Sequence, residues 1–366
     1  MPISRRRILQ AGAGSVLAMM IPGKTFGQDS TKTSEDVMEK KESENAPPLY
    51  PKFDTHMHAE GPKEDLLPVL DALGVRRVLN LSYSGFREPA ELLAFENKLL
   101  ADMDKYPNRF RFAPAFNVTR FREPGYTDSV IAKLANDIDR HGAVAVKIWK
   151  DLGMMLRDDD GRYVFCDDTR FLPIYDYIVS RGLVIYSHIA DPLAGWLPLD
   201  TPSPHARYFR NHPEFHWYGK PDKPSHDEIL RHRDALVARY PKTIFVAAHL
   251  ASMEHDLEET AKFLDTFPNV RIDTAARFAD LMMKPDAQVR AFFIKYQDRI
   301  LYGTDCDFNA EELGKTPEAK RQKIKSIITA HQKNFTYFED TLALPPDVLR
   351  KFYYENAAAL FAKSKK

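Results

Sequence analysis

From Phe53 onward, short runs of Val, Ile, Leu and Phe alternate with longer stretches in which apolar residues recur every three or four positions. The short runs carry few charges, as strands covered on both faces require. They predict strands over 52–57, 76–82, 110–117, 143–149, 183–188, 243–249, 270–275 and 300–304. The amphipathic stretches predict helices over 64–73, 89–105, 128–140, 170–181, 226–239, 254–267, 286–296 and 320–333. Gly74 and Gly182 stand where two of these helices should stop, and Asp128 and Ser225 where two should start. Eight strands, each followed by a helix, point to an α/β fold of the (β/α)8 TIM-barrel type. No glycine fingerprint of a dinucleotide fold follows the first strand.

The polar residues that interrupt this pattern fall at strand ends. Phe53-Asp54-Thr55-His56-Met57-His58 places two imidazoles two positions apart, and residues i and i+2 share one face of a strand. His188 ends LVIYSHI, His249 ends TIFVAAHL and Asp305 ends RILYGTD. Strands one and eight are remote in an open sheet and adjacent in a closed barrel, so the barrel lets one metal ion reach all of these groups. Catalytic zinc commonly has three protein ligands and one position left for water. An axial carboxylate at Asp305 would be costly unless paired or metal-bound. His249 can be a further ligand or a group that meets a substrate oxygen. Lys147 shares a strand face with Trp149; it can stay cationic and hold a substrate carboxylate, or carry a carbamate that bridges a second metal.

One connection is too long for scaffold. Residues 189–224, between strand five and its helix, include Trp196, His205, Arg207, Tyr208, Phe209, His216, Trp217 and Tyr218. Such a segment suits a lid over the barrel mouth, with aromatic platforms for a ring-bearing acid or sugar. The alternative is a segment packed only on itself or on a second subunit. Trp149, Trp196, Arg207, Tyr208, Trp217, Arg277 and Lys147 are the substrate-binding candidates. The stretch 306–319 should border the same mouth.

The start of the chain has a different character. Ser4-Arg5-Arg6-Arg7-Ile8-Leu9-Gln10 precedes the short apolar run AGAGSVLAMMI, and residues 1–27 hold no acid. This resembles a twin-arginine signal peptide, with Ile8 and Gln10 as departures, and is too short for a membrane anchor. It implies the twin-arginine export machinery as a partner of the precursor and a periplasmic destination. Residues 28–48 read as a flexible polar leader and 49–366 as the folded domain. The 52 basic and 52 acidic residues of the full chain become 48 and 52 without the first 27. No basic tract suggests nucleic acid. Two cysteines, Cys166 and Cys306, exclude a disulfide-stapled scaffold.

The HxH pair, the strand-end His188 and His249, and the GTD holding Asp305 together resemble the amidohydrolase superfamily. The closing YYENAAALF is similar to the Y-x-N-A-x-R-L-F ending of its amidohydrolase-related (amidohydrolase 2) branch, with Ala359 in place of the arginine. That branch also includes enzymes like aminocarboxymuconate semialdehyde decarboxylase. The resemblance covers residues 50–363 and implies that His56, His58, His188 and Asp305 hold one divalent ion, with zinc the expected metal, and that His249 and Asp305 are catalytic. Barrels of this kind frequently pair, so a homodimer is an expectation.

Three functions follow as expectations. The first is hydrolysis of a carboxylic ester, lactone or amide of a sugar or aromatic acid, which an exported enzyme would meet as a stable small molecule. The second is decarboxylation or hydration of an unsaturated carboxylic acid. The third is a non-catalytic metal-containing binding protein, disfavoured because structural zinc sites are closed and local.

Overall fold

The computed structural model describes residues 50–309 and 316–362. Residues 1–27 and 28–48, expected to be a signal peptide and a leader, and part of the stretch 306–319 lie outside the described residues. Among the described residues nine strands form: β1 (Lys52–Glu60), β2 (Val75–Leu81), β3 (Phe110–Ala113), β4 (Ala145–Ile148), β5 (Val184–Ser187), β6 (Phe245–Ala247), β7 (Val270–Asp273), β8 (Ile300–Leu301) and β9 (Cys306–Asn309). They make two parallel sheets, ordered β3-β2-β1-β9 and β4-β5-β6-β7-β8. Backbone hydrogen bonds cross between the sheets on both sides. Val144 N–H donates to Phe112 O at 3.0 Å and Lys147 N–H to Pro114 O at 2.7 Å, while Thr55 N–H donates to Tyr302 O at 2.9 Å. The architecture is a (β/α)8-like α/β fold.

Eight principal helices follow the strands: α1 (Leu67–Ala72), α2 (Pro89–Leu100), α3 (Tyr126–His141), α4 (Leu172–Ser180), α5 (His226–Arg239), α6 (Leu257–Thr266), α7 (Asp286–Lys295) and α8 (Pro317–Thr336). Gly74 and Gly182 adopt positive φ just beyond α1 and α4, where L-residues would be strained. Ser225 caps α5, accepting from Glu228 N–H at 3.1 Å. At α3 the expected cap is displaced: Gly125 occupies that position and Asp128 lies in the first turn.

Strand eight differs most from the reading of the sequence. It breaks after Leu301, and the chain resumes pairing with β1 as β9, a stretch expected to be a loop. The break coincides with Asp305, whose φ of 60° turns the chain while its N–H donates to His56 O at 2.8 Å.

Alternation along the strands sorts the core into two layers. Phe53, Leu79, Leu81, Ala145, Val184, Tyr186, Val246 and Leu301 form an inner cluster, to which Ala357 and Phe361 of the closing motif contribute. Val78, Val146, Ile148, Ile185, Phe245 and Ile272 belong to the layer beneath the helices. Lys147 has the parity of Ala145, and in β1 a register shift between Asp54 and Met57 interrupts the alternation that starts at Phe53, ahead of the paired His56 and His58. Both cysteines are free thiols.

Candidate metal centre

The imidazoles at the strand ends are oriented by their Nδ1 atoms. His56 Nδ1 donates to Asp273 Oδ2 at 2.8 Å, His58 Nδ1 to Leu81 O at 2.8 Å and His249 Nδ1 to Ala275 O at 2.9 Å. With the proton on Nδ1, each ring keeps a lone pair on Nε2, the tautomer a metal ion requires. His56 Nε2 lies 3.2 Å and His58 Nε2 3.4 Å from Asp305 Oδ1. The donor atoms of His56, His58 and Asp305 fall within 4.8 Å of one another. His188, just past β5, sets Nδ1 3.3 Å from His249 Nε2, and its own Nε2 is buried without a hydrogen-bond partner.

Electrostatics favours the binding-competent forms. Burial pushes the His56 pKa down, aided by the Lys147 cation, and burial pushes His188 and His249 well down. All three are therefore neutral near pH 7. For Asp305 burial acts upward, but the facing imidazoles of His56, His58 and His249 outweigh it and hold the carboxyl well below its usual range. Neutral imidazoles, an orphaned buried Nε2 and one anionic carboxylate fit a single divalent ion.

Asp273, Asp54 and Gly303 support this set, and the sequence reading passed over all three. Asp273 is fully buried and also accepts from the Tyr186 hydroxyl. Asp54 accepts from His56 N–H at 3.0 Å and from the Thr304 hydroxyl at 2.6 Å, tying β1 to the 303–305 turn. A Cβ on Gly303 would sit 3.0 Å from that of His56. A strand-end aspartate in VRID was a visible signal for Asp273, of the same kind as Asp305. Gly303 opens the GTD motif, but nothing in the sequence shows that it makes room beside His56. Tyr83 stacks on the His58 ring with centroids 4.1 Å apart and donates to Asp307.

The substrate-binding candidates separate into groups. Lys147, 1 % exposed, brings Nζ to 3.4 Å from His56 Nε2, and the Trp149 ring centroid lies 5.0 Å from that of His188. Tyr208 receives a hydrogen bond of 3.0 Å from Lys150, which is ion-paired with Asp191 at 2.5 Å. Arg277 is buried against Glu254 at 3.3 Å, and its charge helps depress the His249 pKa. Trp196 and Trp217 pack edge to face on each other at 5.3 Å, their N–H groups donating to Pro224 O and Glu214 O within the segment's own surroundings. Arg207 is exposed.

Fold and site together define a metal-associated catalytic protein acting on a small molecule. The chain belongs to the amidohydrolase family, whose model matches residues 54–363. No curated protein matches it in sequence at a significant level. It is similar in fold to 2,6-dihydroxybenzoate decarboxylase from Rhizobium, at 18 % identity and a TM-score of 0.52, covering 86 % of this chain and 99 % of that one. It is also similar to 5-carboxyvanillate decarboxylase from Sphingomonas paucimobilis, at 13 % identity and a TM-score of 0.52, covering 86 % and 100 %. A third likeness is to 4-oxalomesaconate hydratase from Rhodopseudomonas palustris, at 14 % identity and a TM-score of 0.53, covering 85 % and 96 %. At these identities the likeness concerns the fold.

Proposed function

We propose that this protein is a metal-dependent lyase that decarboxylates or hydrates an unsaturated or aromatic carboxylic acid. The observation that carries the reading is Lys147. Its ammonium is buried beside the imidazole donors, and among the described residues no carboxylate lies within ion-pair distance of it. Burial lowers its pKa to about 8, with Asp273 and Asp305 acting in the opposite direction. A buried cation without a carboxylate partner is costly, and a substrate carboxylate would supply the missing charge. The decarboxylases and the hydratase of similar fold are consistent with such a substrate.

His56, His58, His188 and Asp305 would hold one divalent ion, zinc by the donor set, which supplies Lewis-acid activation of a carboxylate or of water. Lys147 neutralises the entering acid and fixes its orientation, with Trp149 as an apolar wall beside it. His249 presents a lone pair on Nε2, because Nδ1 is committed to Ala275 O. It therefore takes up a proton and returns it to the substrate carbon. In decarboxylation the bond to the carboxyl carbon breaks, its electron pair stays on the skeleton carbon, and that carbon receives the proton as carbon dioxide leaves.

Hydrolysis of an ester, lactone or amide is the second reading. It is favoured by Asp305, which is held anionic and keeps its side chain 25 % exposed, as a base toward water requires. Incubating the zinc-loaded protein with hydroxybenzoates, unsaturated diacids, lactones and amides separates the two. Carbon dioxide release or hydration supports the lyase. Turnover confined to lactones, esters or amides rejects it. Residues 1–27 are proposed to direct export to the periplasm; periplasmic delivery unaltered by changing both Arg5 and Arg6 to lysine would count against that pair as the signal.

A further inference from the structure

We infer that Asp273 is a positioning residue that couples the two halves of the centre, one oxygen setting the tautomer of His56 and the other holding the backbone turn that carries His249. The inference rests on the metal-centre reading for its purpose and on hydrogen-bond geometry for its content. Oδ2 accepts from His56 Nδ1 at 2.8 Å and from the Tyr186 hydroxyl. Oδ1 accepts from His249 N–H at 2.7 Å and Ala275 N–H at 3.0 Å. The side chain is completely buried, out of reach of bulk water.

The second half of the coupling arises from an unusual stretch of backbone. His249, Leu250, Ala251 and Ser252 have φ of 59°, 53°, 61° and 56°, a run of left-handed residues without a glycine. Each costs about 1–2 kcal/mol for an L-residue, so the turn persists only if its surroundings hold it. Three side chains do so. The Arg233 guanidinium donates to Ala251 O, and the Ser252 hydroxyl donates to Ile189 O at 2.9 Å and Ala190 O at 3.0 Å. Asp273 holds the first residue of the turn, which is His249 itself. A carboxylate is needed because both oxygens must accept. An amide can accept at one position only and presents hydrogens at the other.

That asymmetry makes Asp273→Asn a dissecting change. The asparagine oxygen can keep the His249 and Ala275 N–H bonds, while its NH2 faces His56 and Tyr186. His56 must then accept at Nδ1 and carry its proton on Nε2, facing Asp305 and closed to metal. Zinc affinity should fall about 10–100-fold, as for loss of a partner that orients a metal ligand. Exchange of the His249 amide proton should stay within about threefold of the wild type. Asp273→Ala removes both acceptors, so zinc affinity should fall and His249 exchange should accelerate about tenfold or more.

The 15N shifts of the His56 ring in the metal-free wild type, assigned by their loss in His56→Ala, test the first half without altering Asp273. A bare Nε2 is expected. A proton on Nε2 there, wild-type zinc affinity in Asp273→Asn, or unchanged His249 exchange in Asp273→Ala each overturns the inference. Failure of the metal-centre reading looks different: the wild type would bind no zinc, while the ring and amide measurements, made without metal, would still decide this one.

Discussion

Replacing Lys147 by methionine should stabilise the metal-free protein while weakening carboxylate binding. The native pKa of about 8, against an ordinary 10.5, measures the cost of keeping the ammonium charged in a site that is 1 % exposed. At about 1.4 kcal/mol per tenfold change in proton affinity, that cost is about 3 kcal/mol. Cation–π contacts with Tyr186 at 5.0 Å and Trp149 at 5.8 Å return part of it, about 0.5–2 kcal/mol. Methionine matches lysine in shape without the charge, so the variant should be about 1–3 kcal/mol more stable at pH 7. The pH dependence follows from the depressed pKa. Below pH 8 folded and unfolded chains are both protonated at this position and the whole cost is present. Between pH 8 and 10.5 the folded protein releases the proton while the unfolded chain keeps it, so wild-type stability rises. Methionine removes that rise, and the stability gap between the two proteins should close over the same interval. Urea unfolding of both chelated proteins at pH 7 and pH 10, compared at equal m-values, measures it. A substrate carboxylate should lose about 2–5 kcal/mol of binding, the range for a buried charge pair broken on one side. A variant less stable than wild type at pH 7, or a gap independent of pH, would refute the argument that Lys147 is an incompletely compensated buried cation.

Three further outcomes test the centre. His58→Ala should leave the fold intact and empty the metal site, read by elemental analysis after dialysis, because Nε2 of His58 is one of the donors that meet Asp305. His249→Asn should retain the metal and lower kcat/KM by about two to three powers of ten, since asparagine cannot exchange a proton; metal loss in step with activity would make His249 a ligand instead. Gly303→Ala places a methyl group 3.0 Å from the His56 Cβ and should cost about 1–3 kcal/mol by thermal unfolding, with weakened zinc binding; wild-type behaviour in both would show that the backbone yields there.

Much of this protein was legible in its residues because two periodicities carry local information. Runs such as LVIYSHI and TIFVAAHL can satisfy a strand covered on both faces, and their terminal histidines mark the strand ends at which β5 and β6 stop. The eight strand positions and the principal helices therefore appear near their expected places, and His56, His58 and Asp305 meet as their spacing and the eight-strand repeat imply. Aromatic content in 189–224 was equally visible, but composition does not say which way a ring faces. Trp196 and Trp217 turn toward each other, whereas Trp149 packs beside His188.

Tertiary structure alone decided the rest, because it depends on contacts between residues far apart in the chain. Asp273 lies 217 positions from His56, and its role exists only because β7 brings its carboxylate to the back of that ring. The split of strand eight depends on Asp305 turning at positive φ to meet His56, a conformation no hydrophobic pattern encodes. The left-handed run at His249–Ser252 is contrary to the intrinsic preference of every residue in it, and side-chain bonds of Asp273, Arg233 and Ser252, reaching across β7, α5 and the chain after β5, help hold it in place. Local pattern thus set which groups reach the strand ends, and packing across the two sheets set their tautomers, their charges and the direction in which each lone pair points.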